Sequence, residues 1–448
     1  MDASRPADPA VARTLPSTGA GSGLLETLAF LRDPDFARRR FDRHGDAFVT
    51  VLLGQRMVFL RGGAAICDLL QQGDRIEGWW PTSVKQLLGS RSLANRNGPA
   101  HRARRRVVGQ LFSAAGLRRY SPRIVELVNE LAEELRQASE PVALVERLRR
   151  FAFRVIATVV LGLEGEEREA LFHDFELWSR ALFSLPLAIP GSPYARALRA
   201  RTRLLQRLHA VLQQNQQRSP AERERAGGGL DLLAGGLDEA GLSLDDEDLA
   251  EQLLLLLFAG YETTASSLSC LLLALLQHPE VETWCRQEIE TLPWPPAPEN
   301  ALTTYDADAA PRLDALVQEV MRLTPPVGGF FRRTTAPVVL DGLTVPAGLV
   351  VQVSLIAAHR QDSSGDQRDL ECFRPQRHLE NHAEPMLLPF GGGERVCLGK
   401  ALAELEIRLL VVGLLQQVRL ELATDQDLSL AVIPSPSPRG GLRVRALA

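Results

Sequence analysis

Apolar residues recur along most of this chain every three to four positions, the period of a helix with one buried face. The pattern predicts helices over 24–31, 64–71, 100–112, 122–138, 144–161, 166–183, 196–214, 249–276, 313–323 and 400–418. A two-residue period is rarer. It predicts strands over 48–53 and 56–60, joined as a hairpin at Gly54-Gln55. It also predicts strands over 338–345 and 349–355, with turns at Asp341-Gly342 and Ala347-Gly348. Proline- and glycine-rich stretches at 185–194 and 219–248 read as loops. The expected fold class is mainly α, with a smaller β region at both ends of the chain.

One predicted helix differs from the rest. Residues 253–276 are apolar nearly all round and long enough to cross a bilayer. Glu262, Thr263, Thr264, Ser266, Ser267 and Ser269 interrupt the middle, and charges and hydroxyls at bilayer depth are costly. The stretch is therefore expected as the central buried helix of a single large domain, 23–448, with no transmembrane anchor. The acidic run 245–248 precedes it, where it complements the helix dipole; a cap is expected there, not a metal site. Residues 1–22 are rich in Ala, Pro, Gly and Ser, and read as a flexible arm without a targeting signal.

Charge narrows the function classes. The 51 basic and 55 acidic residues leave a net charge of −4, which gives no case for nucleic acid as a partner. The five cysteines (Cys67, Cys270, Cys285, Cys372, Cys397) are odd in number and scattered. They make neither a disulfide framework nor a zinc pattern, so a soluble protein in a reducing cytoplasm is expected.

The chemistry concentrates in one string, Phe390-Gly391-Gly392-Gly393-Glu394-Arg395-Val396-Cys397-Leu398-Gly399. A cysteine at a helix N-terminus meets free N–H groups and the positive end of the dipole, which favour thiolate. Glycines let something flat and large approach the sulfur, and Arg395 offers a cation to an acidic group on it. A lone cysteine is more often a small buried hydrophobe. The whole Phe-x-x-Gly-x-Arg-x-Cys-x-Gly string, however, resembles the signature of the cytochrome P450 family, the haem-thiolate monooxygenases. The resemblance implies the cytochrome P450 fold and haem b (iron protoporphyrin IX) with Cys397 as the iron ligand. Phe390, Gly391 and Gly399 then shape the cofactor loop.

Other strings fit the same family. Ala259-Gly260-Tyr261-Glu262-Thr263-Thr264 resembles its oxygen-activation motif on the central helix. There Gly260 would let a planar ligand approach, Thr263 would act in oxygen activation and Glu262 in proton delivery. Bonding of the hydroxyls back to helix carbonyls is the plain structural alternative, and a buried ion pair is the alternative for Glu262. Glu319-x-x-Arg322 places both side chains on one helix face. With Arg377 of Phe373-Arg374-Pro375-Gln376-Arg377 it resembles the family's structural Glu–Arg–Arg network. Haem propionates need cationic donors, and Arg395, His101 with Arg105, and Arg332 are the candidates. Arg102, Arg104 and Arg106, with Lys400, suggest a basic patch for a separate ferredoxin or flavodoxin.

Several segments resemble one branch, the retinoic-acid hydroxylases and their cyanobacterial relatives. They include Trp80-Pro81-Thr82-Ser83, Ile189-Pro190-Gly191-Ser192-Pro193-Tyr194 and the stretch from Pro325 to Arg332. Val327, Gly328, Gly329, Phe330, Phe331, Trp80 and Ala259 are the pocket candidates, with Trp79, Trp178 and Phe183 behind them. The glycines are expected to make room for a long ligand. The implied reaction inserts one atom of dioxygen into a C–H bond of a long apolar small-molecule substrate, such as retinoic acid, a related isoprenoid or a fatty acid. A monomer is expected. A haem-thiolate isomerase or peroxygenase, and a non-catalytic haem sensor, remain alternatives. Residues 361–369 lack the prolines the family usually has there.

Overall fold

The computed structural model describes residues 15–19, 23–33, 35–52, 54–182, 184, 186–219, 221–223, 227–233, 236–361, 370–380 and 386–447. Most of the expected arm, the pocket candidate Phe183 and most of the proline-poor stretch 361–369 lie outside the described residues.

The main helices run in chain order as α1 (Gly23–Arg32), α2 (Phe36–His44), α3 (Gly63–Leu70), α4 (Thr82–Leu88), α5 (Gly98–Gly109), α6 (Ala114–Gln137), α7 (Leu144–Leu161), α8 (Gly165–Ser179) and α9 (Pro193–Gln217). They continue as α10 (Asp246–Gln277), α11 (Pro279–Ile289), α12 (Pro311–Leu323), α13 (Leu355–Ala358) and α14 (Lys400–Gln417). The mainly helical class is as expected.

The described residues form two compact units. The first comprises those up to Trp79, from Gly328 to 361, and from 386 to Val396. Its body is a five-stranded sheet in the order β1-β2-β8-β5-β3, built from Ala47–Leu52, Gln55–Leu60, Val350–Ser354, Gly329–Thr334 and Ile76–Gly78. β2 and β8 pair in parallel, and the other neighbours are antiparallel. Residues 338–345 fold as a tight hairpin, β6 (Val338–Leu340) and β7 (Leu343–Val345), around Asp341-Gly342. One sheet face packs Val58, Leu60, Val351 and Val353 against Ile66 and Leu69 of α3, and the other packs Phe48 and Phe59 against Phe36 and Phe41 of α2.

The second unit holds the remaining described residues, among them the short strand β4 (Val142–Ala143), with α10 buried along most of its length against α7, α9 and α14. An aromatic cluster, Phe153, Phe172, Phe175, Trp178 and Tyr261, fills the space between α7, α8 and α10. α10 starts at Asp246, three residues before the expected 249, so the acidic run supplies its cap and first turn: the Asp245 carboxylate accepts the Asp248 N–H at 2.8 Å. α6 starts eight residues before the expected Pro122. Proline deprives the Arg118 carbonyl of its helical donor, and the neighbouring Ser121 hydroxyl donates to that carbonyl instead, at 3.0 Å. The helix therefore passes through the proline unbroken.

Candidate active site

In the second unit, Cys397 precedes the first turn of α14, with Gly399 as its N-cap. Cys397 is exposed as a residue, yet protein crowds its sulfur closely enough that burial raises the thiol pKa. A backbone N–H of Gly399 and the charges of Arg105 and Lys400 pull the other way, while Glu404 adds to the rise. In the free thiol burial outweighs them. A cation binding the sulfur directly reverses that balance, since a coordinating thiol is deprotonated outright. His101 and Arg105 share one face of α5; His101 is buried and Arg105 half-buried, with Cys397 as an electrostatic neighbour.

The middle of α10 presents two different sides. Ala259 is exposed and Thr263, one turn on, is half-buried, although their helix is mostly covered. The Thr263 hydroxyl donates to the Ala259 carbonyl at 2.6 Å, the back-bonded form that was the structural alternative. Glu262 pairs with Arg149 of α7 at 3.3 Å. Gly260 does not face an open side: a Cβ there would meet Ile156 Cγ1 at 3.0 Å, so the glycine serves the close packing of α10 on α7. That removes it from the ligand-contacting residues.

Glu319, Arg322 and Arg377 come together as expected. Arg322 Nε and Nη2 reach the two Glu319 oxygens at 2.8 and 3.0 Å, and Arg377 Nε reaches Oε1 at 3.0 Å. Arg322 also donates to the carbonyls of Leu370 and Cys372, which ties the 370–378 segment to α12. Sequence reasoning missed His378, whose Nε2 lies 2.9 Å from Glu319 Oε2. Its only signal was its place next to Arg377.

In the first unit the cysteine string makes a tight loop. Gly391 and Gly393 take φ +69° and +66°, the left-handed region that glycine favours. Gly392 packs so closely on Leu70 that a Cβ would meet its Cδ1 at 2.7 Å. Upstream, the Leu388 N–H donates to Nε2 of the fully buried His359 at 2.9 Å. Arg395 lies against Gly78, and its charge acts on Arg332. Arg332 is 8% exposed, and burial and then Arg395 push its pKa down to about 10. Two neighbouring guanidiniums, one buried, disfavour each other; a carboxylate-bearing ligand relieves both. This fits propionate groups.

Several expected site residues have other duties. Phe330 and Phe331 are consecutive in β5 and point to opposite sheet faces. Phe330 carries the Arg332 guanidinium over its ring at 4.5 Å. Phe331 packs edge-on against Trp79 at 5.5 Å, beside the α2 core. The two cannot line one pocket wall together. Gly328 and Gly329 do not leave room for a ligand: Cβ atoms would run into Ile356 and the Val353 carbonyl. Trp178 is core, and its Nε1 donates to the Leu87 carbonyl at 3.2 Å. Trp80 is half-buried and Val327 44% exposed. Arg104 is no surface charge: 5% exposed, it bridges Asp248 at 2.7 Å and also pairs with Glu239. Of the residues expected in a basic patch, Arg102, Arg106 and Lys400 are exposed. Asp245 and Asp248 are spent on the cap and on Arg104, and no cluster suited to a metal ion occurs among the described residues.

The cytochrome P450 family model matches residues 33–437. The chain belongs to the cytochrome P450 family. It is 35% identical to the putative cytochrome P450 120 of Synechocystis sp. over 94% of each chain. It is 32% identical to cytochrome P450 26B1 of Xenopus tropicalis, over 93% of this chain and 83% of that protein. The solved structure of retinoic acid bound cyanobacterial CYP120A1 superposes with a TM-score of 0.87 at 35% identity, covering 98% of this chain and all of the other. The fold is therefore that of the cytochromes P450, the cofactor is haem b on a cysteine thiolate, and the protein is a monooxygenase. The isomerase, peroxygenase and sensor alternatives are not favoured.

Proposed function

We propose that this cytochrome P450 hydroxylates a long apolar substrate of retinoid type, with retinoic acid as the first candidate. The observation that carries the substrate class is the likeness, over nearly the whole chain, to a structure solved with retinoic acid bound. We assign the thiolate ligand to Cys397, whose crowded sulfur accepts a Gly399 N–H, and the propionate contacts to Arg395 and Arg332, with His101 and Arg105 as further donors. When bound on the Cys397 thiolate, haem would supply the activation of dioxygen.

The chain's own residues supply position and protons. Thr263, on the accessible side of α10, would free its hydroxyl from Ala259 to serve as a hydrogen-bond donor in oxygen activation. Glu262 passes protons inward and must first part from Arg149. Ala259 and Val327, both exposed, and the half-buried Trp80 are the residues left to contact substrate. Electrons come from a separate ferredoxin or flavodoxin, met by Arg102, Arg106 and Lys400, and the protein acts as a cytoplasmic monomer.

The test is a titration of the haem protein with retinoids, fatty acids and terpenoids, read by the haem spin-state shift and then by product mass. All-trans retinoic acid should shift the spectrum and gain one oxygen atom. A shift by fatty acids or terpenoids alone would overturn the retinoid assignment.

A further inference from the structure

A glycine in the first unit has no role in the chemistry described so far, yet another side chain occupies the space beside it. Gly78 ends β3 and pairs across the sheet with Arg332 of β5. Its backbone is not in the left-handed region, so conformation does not demand glycine. Space does. A Cβ on Gly78 would fall on the guanidinium of Arg395, overlapping Cζ and Nη1 and approaching Nε to 2.8 Å. The Arg395 head group occupies the volume that any other residue at 78 would fill.

We infer that Gly78 is a positioning residue: its bare backbone seats Arg395 beside Arg332, so that two guanidiniums converge to receive the carboxylates of the cofactor. The inference rests on the propionate role assigned to Arg395. Like charges drift apart unless something confines them, and Arg332 already bears the repulsion of Arg395 together with burial. Phe330 holds one partner from a ring face, and Gly78 accommodates the other. The obstructed atoms form the far end of a flexible side chain, so alanine at 78 displaces the guanidinium rather than breaking the sheet. Gly78→Ala should therefore leave the folded protein stable and weaken its hold on haem.

The experiment measures haem transfer from the holoprotein to apomyoglobin in wild type, Gly78→Ala, Arg395→Ala and the double variant, with thermal midpoints recorded alongside. Losing one charge-assisted contact should speed transfer by about tenfold in each single variant. The double variant should match Arg395→Ala, because a seat has no effect once its occupant is gone. Equal further acceleration by Gly78→Ala in the Arg395→Ala background would overturn the inference and point to strand pairing instead. So would wild-type transfer in Gly78→Ala alone. If Arg395→Ala itself retains haem like wild type, the propionate role of Arg395 fails, and the seat fails with it.

Discussion

His378 and Glu319 form the part of the structural network with no counterpart in the expected trio. Nε2 of the imidazole lies 2.9 Å from Glu319 Oε2, and both side chains are almost wholly buried. The other oxygen accepts Arg322, Arg377 and the Arg374 N–H, the last at 2.9 Å. Burial pushes the Glu319 pKa up, but His378, Arg322 and the Arg374 N–H outweigh it and hold the acid at about 2. A carboxylate oxygen can only accept, so the imidazole donates to it from Nε2. His378→Phe removes that donor and should cost roughly 1–3 kcal/mol in urea unfolding. His378→Gln, which keeps a donor amide, should recover part of the loss. A phenylalanine variant as stable as wild type would show that the histidine only fills space.

The same carboxylate sets an acid limit. Its folded pKa lies below the ordinary 4.5, so its stabilising effect is complete above pH 4.5 and is lost as the pH falls toward 2. Glu406 of α14 behaves in the opposite way. It is fully buried, burial raises its pKa to about 8, and the Thr264 hydroxyl opposes that rise only in part. Its Oε2 has no hydrogen-bond partner. Between pH 4.5 and 8 the folded chain keeps a proton that the unfolded chain has lost, so this group makes stability fall as pH rises. Glu406→Gln copies the protonated form at every pH. Its stability should match wild type near pH 4.5 and exceed it by on the order of 4 kcal/mol at pH 8. Parallel urea curves for the two proteins across that range would refute the buried neutral acid.

How much of this was legible in the sequence depends on how local the signal was. The long helices announced themselves by period, and the Cys397 string, Glu319-x-x-Arg322 and Arg377 by spacing. α2 escaped notice because FARRRFDRH buries only Phe36 and Phe41, too few to show a period. In sequence, β5 reads only as a pocket segment, and alternation in a strand is what divides Phe330 from Phe331. Glycines misled most. Gly260, Gly328 and Gly329 suggested room for a ligand, whereas their space is filled by Ile156, Ile356 and the Val353 carbonyl. Gly78, which does make room at the site, had no motif around it. Close approach is a tertiary fact, and a glycine alone does not say what approaches.

Glu251 fastens the segment after α4 to the central helix. Its Oε2 accepts the N–H groups of Arg91 at 2.7 Å and Ser92 at 3.2 Å, and its Oε1 pairs with Arg201 of α9. The next residue, Gln252, accepts the Leu93 N–H and donates to the Arg91 carbonyl, both at 2.8 Å. Glu251→Ala leaves two backbone donors unanswered and takes the carboxylate from a largely buried guanidinium, which keeps only its bond to the Leu87 carbonyl. It should cost about 2–4 kcal/mol and speed hydrogen exchange at the amides of 91 and 92. Glu251→Gln keeps an acceptor and should cost about half as much. Unchanged exchange in the alanine variant would mean that other contacts hold the segment.

Thr263 separates stability from chemistry. In the fold its hydroxyl only returns to the Ala259 carbonyl, and the Ser267 hydroxyl in turn donates to the Thr263 carbonyl at 3.0 Å. A back-bonded threonine adds little to a helix, so Thr263→Ala should change stability by less than about 0.5 kcal/mol. Catalysis should respond differently. Without the hydroxyl, reduction proceeds while proton delivery fails, and hydroxylated product per electron consumed should fall by roughly 10²-fold, with peroxide taking up the difference. Thr263→Ser restores a hydroxyl at the same atom and should recover most of the yield. Arg149→Met frees Glu262 from its ion pair, 3.3 Å long in the folded chain, and should change the solvent isotope effect on turnover without changing haem content. Full product yield per electron in Thr263→Ala would remove Thr263 from the reaction and leave only its bond to Ala259.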